Sequence, residues 1–128
     1  MSDGSRPSVP AKAPRAGLER IVAAAANSGR GLRACWRNEA AFRQEVLLSI
    51  PLLSVAALLP LAGAERALLM GSVLLVLVVE LLNSGIEAAI DRIGPEHHVL
   101  SGLAKDLASA AVAISLLLAS VVWACILL

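Results

Sequence analysis

The chain has 128 residues, enough for one domain, with a hydrophobic fraction of 58% and an aromatic fraction of only 2%. Mean hydropathy is +0.78, so a core packed in water would have to be built almost wholly from Leu, Val, Ala and Ile, whereas a bilayer supplies apolar surroundings directly. A net charge of +1 gives no electrostatic basis for nucleic-acid binding, and the class expected is an all-α membrane protein.

Residues 1–17 carry Pro, Gly, Ser, Lys and Arg without an apolar h-region. A signal peptide is therefore not expected there, and a disordered tail is. Residues 18–37 predict an amphipathic helix. At about 100° per residue, Leu18, Ile21, Val22, Ala25, Leu32 and Trp36 share one arc, while Arg20, Asn27, Arg30 and Arg37 face away. Such a helix lies in the membrane interface or docks on the protein's own cytoplasmic end. Gly29 and Gly31 weaken its middle.

Three apolar segments follow, over about 46–64, 67–90 and 107–128. At about 1.5 Å per residue, each reaches across roughly 30 Å of hydrocarbon. The first holds Pro51 and Pro60, where a kink or a loose end is expected. Of the 11 basic residues, Arg6, Lys12, Arg15, Arg20, Arg30, Arg33, Arg37 and Arg43 precede the first segment, and Arg92 and Lys105 flank the loop between the second and third. Only Arg66 joins the first to the second. The positive-inside rule then puts the N-terminus and the second loop in the cytoplasm and the C-terminus outside. Cys35 and Cys125 fall on opposite sides, which argues against a disulfide between them.

The second apolar segment carries the chemistry. Asn83, Ser84, Glu87 and Asp91 all fall within about 60° of Glu80 around the helix, a polar ladder rising about 10 Å from Glu80 to Glu87. Ionisable groups in a span cost a few kcal/mol and face the bundle interior, where they usually work. Glu39 and Glu87, from two helices, suit a hard divalent cation such as magnesium, which leaves Glu80 as a general base. Surface salt bridges account for Glu39 and Glu45 equally well. Lys105, at the expected start of the third span, suits a phosphate oxygen or simply snorkels to the interface. Adjacent His97 and His98 fit an exposed turn better than a metal site. No G-x-x-x-x-G-K-[ST] loop, protein-kinase glycine loop or zinc spacing occurs. The residues alone therefore reach a cytoplasm-facing carboxylate site in a small helical membrane protein, and not a nucleotide.

Three stretches carry a resemblance: residues 31–45 (GLRACWRNEAAFRQE), 79–94 (VELLNSGIEAAIDRIG) and 100–106 (LSGLAKD). Their E-x-x-N-[ST]-x-x-E-x-x-x-D pattern with a downstream K-D resembles the prokaryotic diacylglycerol kinases, small trimeric enzymes of the inner membrane, over about residues 18–128. The resemblance implies ATP-dependent phosphorylation of diacylglycerol to phosphatidic acid, with magnesium, in a homotrimer whose sites are shared between neighbouring subunits. It implies Glu80 as the base, Asn83 as a residue ordering phosphates and base, Glu39 and Glu87 as magnesium ligands, and Lys105 on the transferred phosphate. Arg20, Glu45, Asp91 and Asp106 match further polar positions of the site, Arg20 toward both substrates, Glu45 and Asp91 toward the lipid and Asp106 toward ATP. His98 matches a nucleotide-side histidine, and Asn27 stands where some relatives place an aromatic residue near the base. Undecaprenol is the alternative acceptor, since related sequences act on that polyprenol. A small proton-coupled transporter with Glu80 as carrier is a third reading, but it gives no reason for Glu39, Glu87 and Lys105 to meet on one side.

Overall fold

A computed structural model describes Ala13 and residues 16–128. Apart from Ala13, Ala16 and Gly17, the tail expected over residues 1–17 lies outside the described residues. All regular structure of the described residues is helical: α1 (Gly17–Asn38), α2 (Ala40–Leu58), α3 (Gly63–Ile93) and α4 (Val99–Leu127). Residues up to Gly31 form one unit and Leu32–Leu128 a second. Helix α1 runs through Gly29 and Gly31 without interruption, and Leu18, Ile21 and Val22 are exposed on it.

In the second unit α3 is central and packs against both α2 and α4. The core is thin, built from Phe42, Ala56, Leu69, Val73, Val76 and Ala108, while Leu47, Ile50, Leu68, Leu74, Ile114 and Leu117 are exposed. Water does not tolerate so much open aliphatic surface, and lipid does. Helices α2, α3 and α4 are each long and apolar enough to cross a membrane. Trp123 ties α4 to α3 through Nε1, which donates to the Leu69 carbonyl at 3.2 Å. Ser72 Oγ donates to the same carbonyl at 2.9 Å.

The helices differ from the expected spans in ways the chain explains. The first span was expected over 46–64, but α2 starts at Ala40 and stops at Leu58. Leu59 is extended (φ −67°, ψ 145°) because the ring of Pro60 disfavours a helical residue before it. Pro51 sits inside α2 without ending it. Helix α3 has 31 residues, about 46 Å, and so overruns a hydrocarbon layer of roughly 30 Å by several turns. It ends at Gly94, whose φ of 145° is open to glycine and strained for any side chain. Helix α4 starts at Val99, eight residues before the expected span, because His98 caps it: His98 Nδ1 accepts from the Leu100 N–H at 3.1 Å. Lys105 is therefore well inside a helix rather than at its start.

Candidate active site

Glu39 occupies the one residue between α1 and α2. Its backbone is extended (φ −112°, ψ 108°) and its side chain makes no capping hydrogen bond, so the carboxylate is left for other partners. Arg43, one turn on, reaches back and donates through Nη1 to the carbonyls of Trp36 at 2.8 Å and Arg37 at 3.1 Å. The end of α1 is docked on α3 by Cys35, whose Sγ lies 3.4 Å from Ser84 Oγ as donor. Cys35 and Cys125 are both free thiols, the first buried and the second exposed.

Glu80 is only 4% exposed, at the centre of α3 as it passes α2. The charges of Glu39 and Glu87 act on it, and its own acts on Glu45, so four carboxylates gather within electrostatic range. No Lys or Arg within residues 32–128 pairs with any of the four; the ion pair in this unit joins Lys105 and Asp91. Glu45 Oε2 and Asn83 Oδ1 are buried without a hydrogen-bond partner. Buried acceptors in that state are costly unless a ligand or cation completes them. Among the described residues no three His, Cys, Asp or Glu side chains form a metal cage. Magnesium fits such a place, because it takes one or two carboxylates and leaves its other positions to water and phosphate oxygens. Glu39 and Glu87 offer those hard oxygens.

Two cavities lie within residues 32–128. An apolar groove of about 270 Å³ runs from Glu45 between Leu48, Leu52, Leu77 and Leu116 to Trp123. A second cleft of about 440 Å³ lies under the 94–98 loop, with Asp91, Glu96, His97, His98, Ser101 and Lys105 among the residues on its walls. Across that cleft Lys105 Nζ lies 2.7 Å from Asp91 Oδ1.

The expected residues thus divide. Glu39, Glu45, Glu80, Asn83 and Glu87 share the α2–α3 face, and Lys105, Asp91 and His98 share the loop cleft. Asp106 is exposed on α4. Arg20 and Asn27 belong to the first unit, where the Asn27 side chain accepts from Arg30 Nη2. The partner of Asp91 is Lys105, since residues 91 and 105 face each other across a tight loop. Arg43 was not singled out in the sequence. Nothing marks it there except that it follows Glu39 by one helical turn.

A family model described as prokaryotic diacylglycerol kinase matches residues 26–127. The chain is 53% identical over 112 residues to the diacylglycerol kinase of Escherichia coli (strain K12), an alignment covering 88% of this chain and 91% of that protein. It is 52% identical over 112 residues to the diacylglycerol kinase of Pseudomonas aeruginosa, with 88% and 91% covered. The similarity to the diacylglycerol kinase of Haemophilus influenzae is 43% over 107 residues, with 84% and 91% covered.

Proposed function

The chain belongs to the prokaryotic diacylglycerol kinase family, and on that premise we propose that it moves the γ-phosphate of ATP to the hydroxyl of diacylglycerol, giving phosphatidic acid. The observation that carries the reading is Glu80: a carboxylate 4% exposed, in a helix long enough to span a membrane. On this reading a lipid alcohol brings its hydroxyl to that carboxylate while its chains stay in the apolar layer. Glu80 accepts the hydroxyl proton as the lipid oxygen attacks the γ-phosphorus, whose bond to the bridging β-phosphate oxygen breaks to release ADP. Asn83, one turn further along α3, orders the phosphates and keeps Glu80 oriented.

Glu39 and Glu87 hold the magnesium that accompanies ATP. When bound, the ion neutralises phosphate charge and aligns the γ-phosphate. Lys105 leaves Asp91 for the transferred phosphate. His98 and Asp106 serve the nucleotide side, and Glu45 and Asp91 the lipid head. Phosphoryl transfer needs chiefly alignment and charge neutralisation, so this sparse set is adequate.

The same reading places α1 in the interface at the cytoplasmic face of a bacterial inner membrane, with the 94–98 loop on that side and the C-terminus across it. A homotrimer with sites shared between neighbours would cover Glu39 and Glu87, which stay half-buried in one protomer where Glu80 is already enclosed. Transfer of labelled γ-phosphate from magnesium-ATP to diacylglycerol by the detergent-purified protein tests the function. Phosphatidic acid from the wild type and almost none from Glu80→Gln supports it. No product from well-folded wild type removes diacylglycerol as the acceptor and makes undecaprenol the next substrate to assay.

A further inference from the structure

The carboxylate proposed to hold the cation sits on the only residue that leaves helical geometry between Gly17 and Leu58. That break is not what the local sequence favours. Glu39, Ala40 and Ala41 are all good helix formers, and Ala is the best. In an unbroken helix the carbonyls of Trp36 and Arg37 would accept from the N–H groups of Ala40 and Ala41. Arg43 donates to both carbonyls instead, at 2.8 and 3.1 Å from one guanidinium nitrogen. The chain therefore gives up the backbone bonds to the carbonyls of Trp36, Arg37 and Asn38, replaces the first two with side-chain bonds, and gains an extended ψ of 108° at Glu39.

We propose that Arg43 is a positioning residue for the cation site: it holds the α1–α2 break open so that the Glu39 carboxylate stays turned toward Glu87 and Glu80. Three observations converge on it. The Glu39 side chain is not consumed in capping α2. Its charge acts on Glu80, so the carboxylate lies within electrostatic range of the α3 ladder. Arg43 supplies the donors that make the break affordable in this sequence. Without Arg43 the carbonyls of Trp36 and Arg37 recover their partners most easily by closing the helix through Glu39, which swings the carboxylate out of line. Arg43 touches neither substrate in this account and acts through Glu39 alone.

The inference rests on the reading that Glu39 is a cation ligand, and the experiment separates the two. Uptake of Mn²⁺ in the presence of a non-hydrolysable ATP analogue is followed by electron paramagnetic resonance on the full chain in detergent, with thermal unfolding alongside. Arg43→Gln is expected to weaken Mn²⁺ uptake by roughly 10–100-fold, the cost usual for residues that orient a metal ligand. Arg43→Lys, whose ammonium also has donors for two carbonyls, falls between Arg43→Gln and wild type. Glu39→Gln loses uptake to at least the same degree. Wild-type uptake by Arg43→Gln, with or without a lower melting temperature, overturns the positioning role while leaving Glu39 as ligand. Should Arg43→Gln not fold, Arg43→Lys decides, and uptake by it as tight as wild type overturns the proposal. Unchanged uptake by Glu39→Gln overturns the cation reading itself, and the role of Arg43 falls with it.

Discussion

Arg66 Nε donates to the carbonyl of Ala56 at 3.3 Å, in the place where Pro60, four residues beyond Ala56, has no N–H to offer. Arg66 Nη2 also donates to the Leu59 carbonyl at 3.1 Å, so one guanidinium closes the open end of α2 from the start of α3. Arg66→Ala should therefore destabilise the protein by about 1–3 kcal/mol, the cost of stranding partly buried carbonyls. Thermal unfolding in detergent measures it. Transfer at saturating substrates should survive, because Arg66 is 14 residues, about 21 Å of helix, from Glu80.

Lys105 and Asp91 form an exposed pair, with side chains 43% and 69% accessible. Such pairs contribute no more than about 1 kcal/mol to stability. Lys105→Ala should then unfold within a few degrees of the wild type. If Lys105 holds the transferred phosphate, kcat should fall by roughly 10²–10³, the loss usual when one preorganised donor is removed from a transition state. Melting and initial rates on the same preparation check both halves. An unchanged kcat would confine Lys105 to its pair with Asp91.

Trp123 closes the far end of the apolar groove and spends its indole N–H on the Leu69 carbonyl. Trp123→Phe keeps most of the ring but loses that bond, for a cost of about 1 kcal/mol. Trp123→Ala also leaves a cavity and should cost about 3–5 kcal/mol. A larger rise in KM for the lipid than for ATP in Trp123→Ala would tie the groove to the acceptor chain. Equal rises would point to general loosening of α4 against α3.

What could be read in the sequence was whatever depends on one helix at a time. Glu80, Asn83, Ser84 and Glu87 repeat at helical spacing, so their shared face is visible before any fold is known. Leu59 before Pro60, and Gly94, are local stops. Pairings between helices were not legible: nothing in the neighbours of Lys105 points to Asp91, and nothing near Cys35 points to Ser84. The break at Glu39 runs against propensity, since Glu39-Ala40-Ala41 reads as helix, and the reach of Arg43 back to the Trp36 and Arg37 carbonyls is a contact the local sequence does not announce. Helix α4 began early for a similar reason, because a histidine cap is a rarer signal than Ser, Thr, Asp or Asn.

The carboxylate cluster makes the last prediction, in which stability and activity move in opposite directions. Glu80 is buried beside Glu39, Glu45 and Glu87 with no cation of residues 32–128 paired to any of them. Like charges in a low-dielectric site repel, and a protein keeps such an arrangement only where function needs it. Glu80→Gln removes one charge at nearly constant volume, so it should raise the stability of the ligand-free protein, by about 1 kcal/mol. It should also lower phosphoryl transfer by roughly 10²–10⁴, the range a general base contributes. Glu45→Gln relieves the same repulsion, and the partnerless Oε2 position ceases to be a charged acceptor; it should stabilise similarly while acting mainly on KM for the lipid. Melting temperatures of the two variants without nucleotide or magnesium, set beside their steady-state constants, test the argument. If either variant melts below the wild type, the cluster is held by hydrogen bonds that the neutral side chains cannot replace, and Glu80 and Glu45 are structural before they are catalytic.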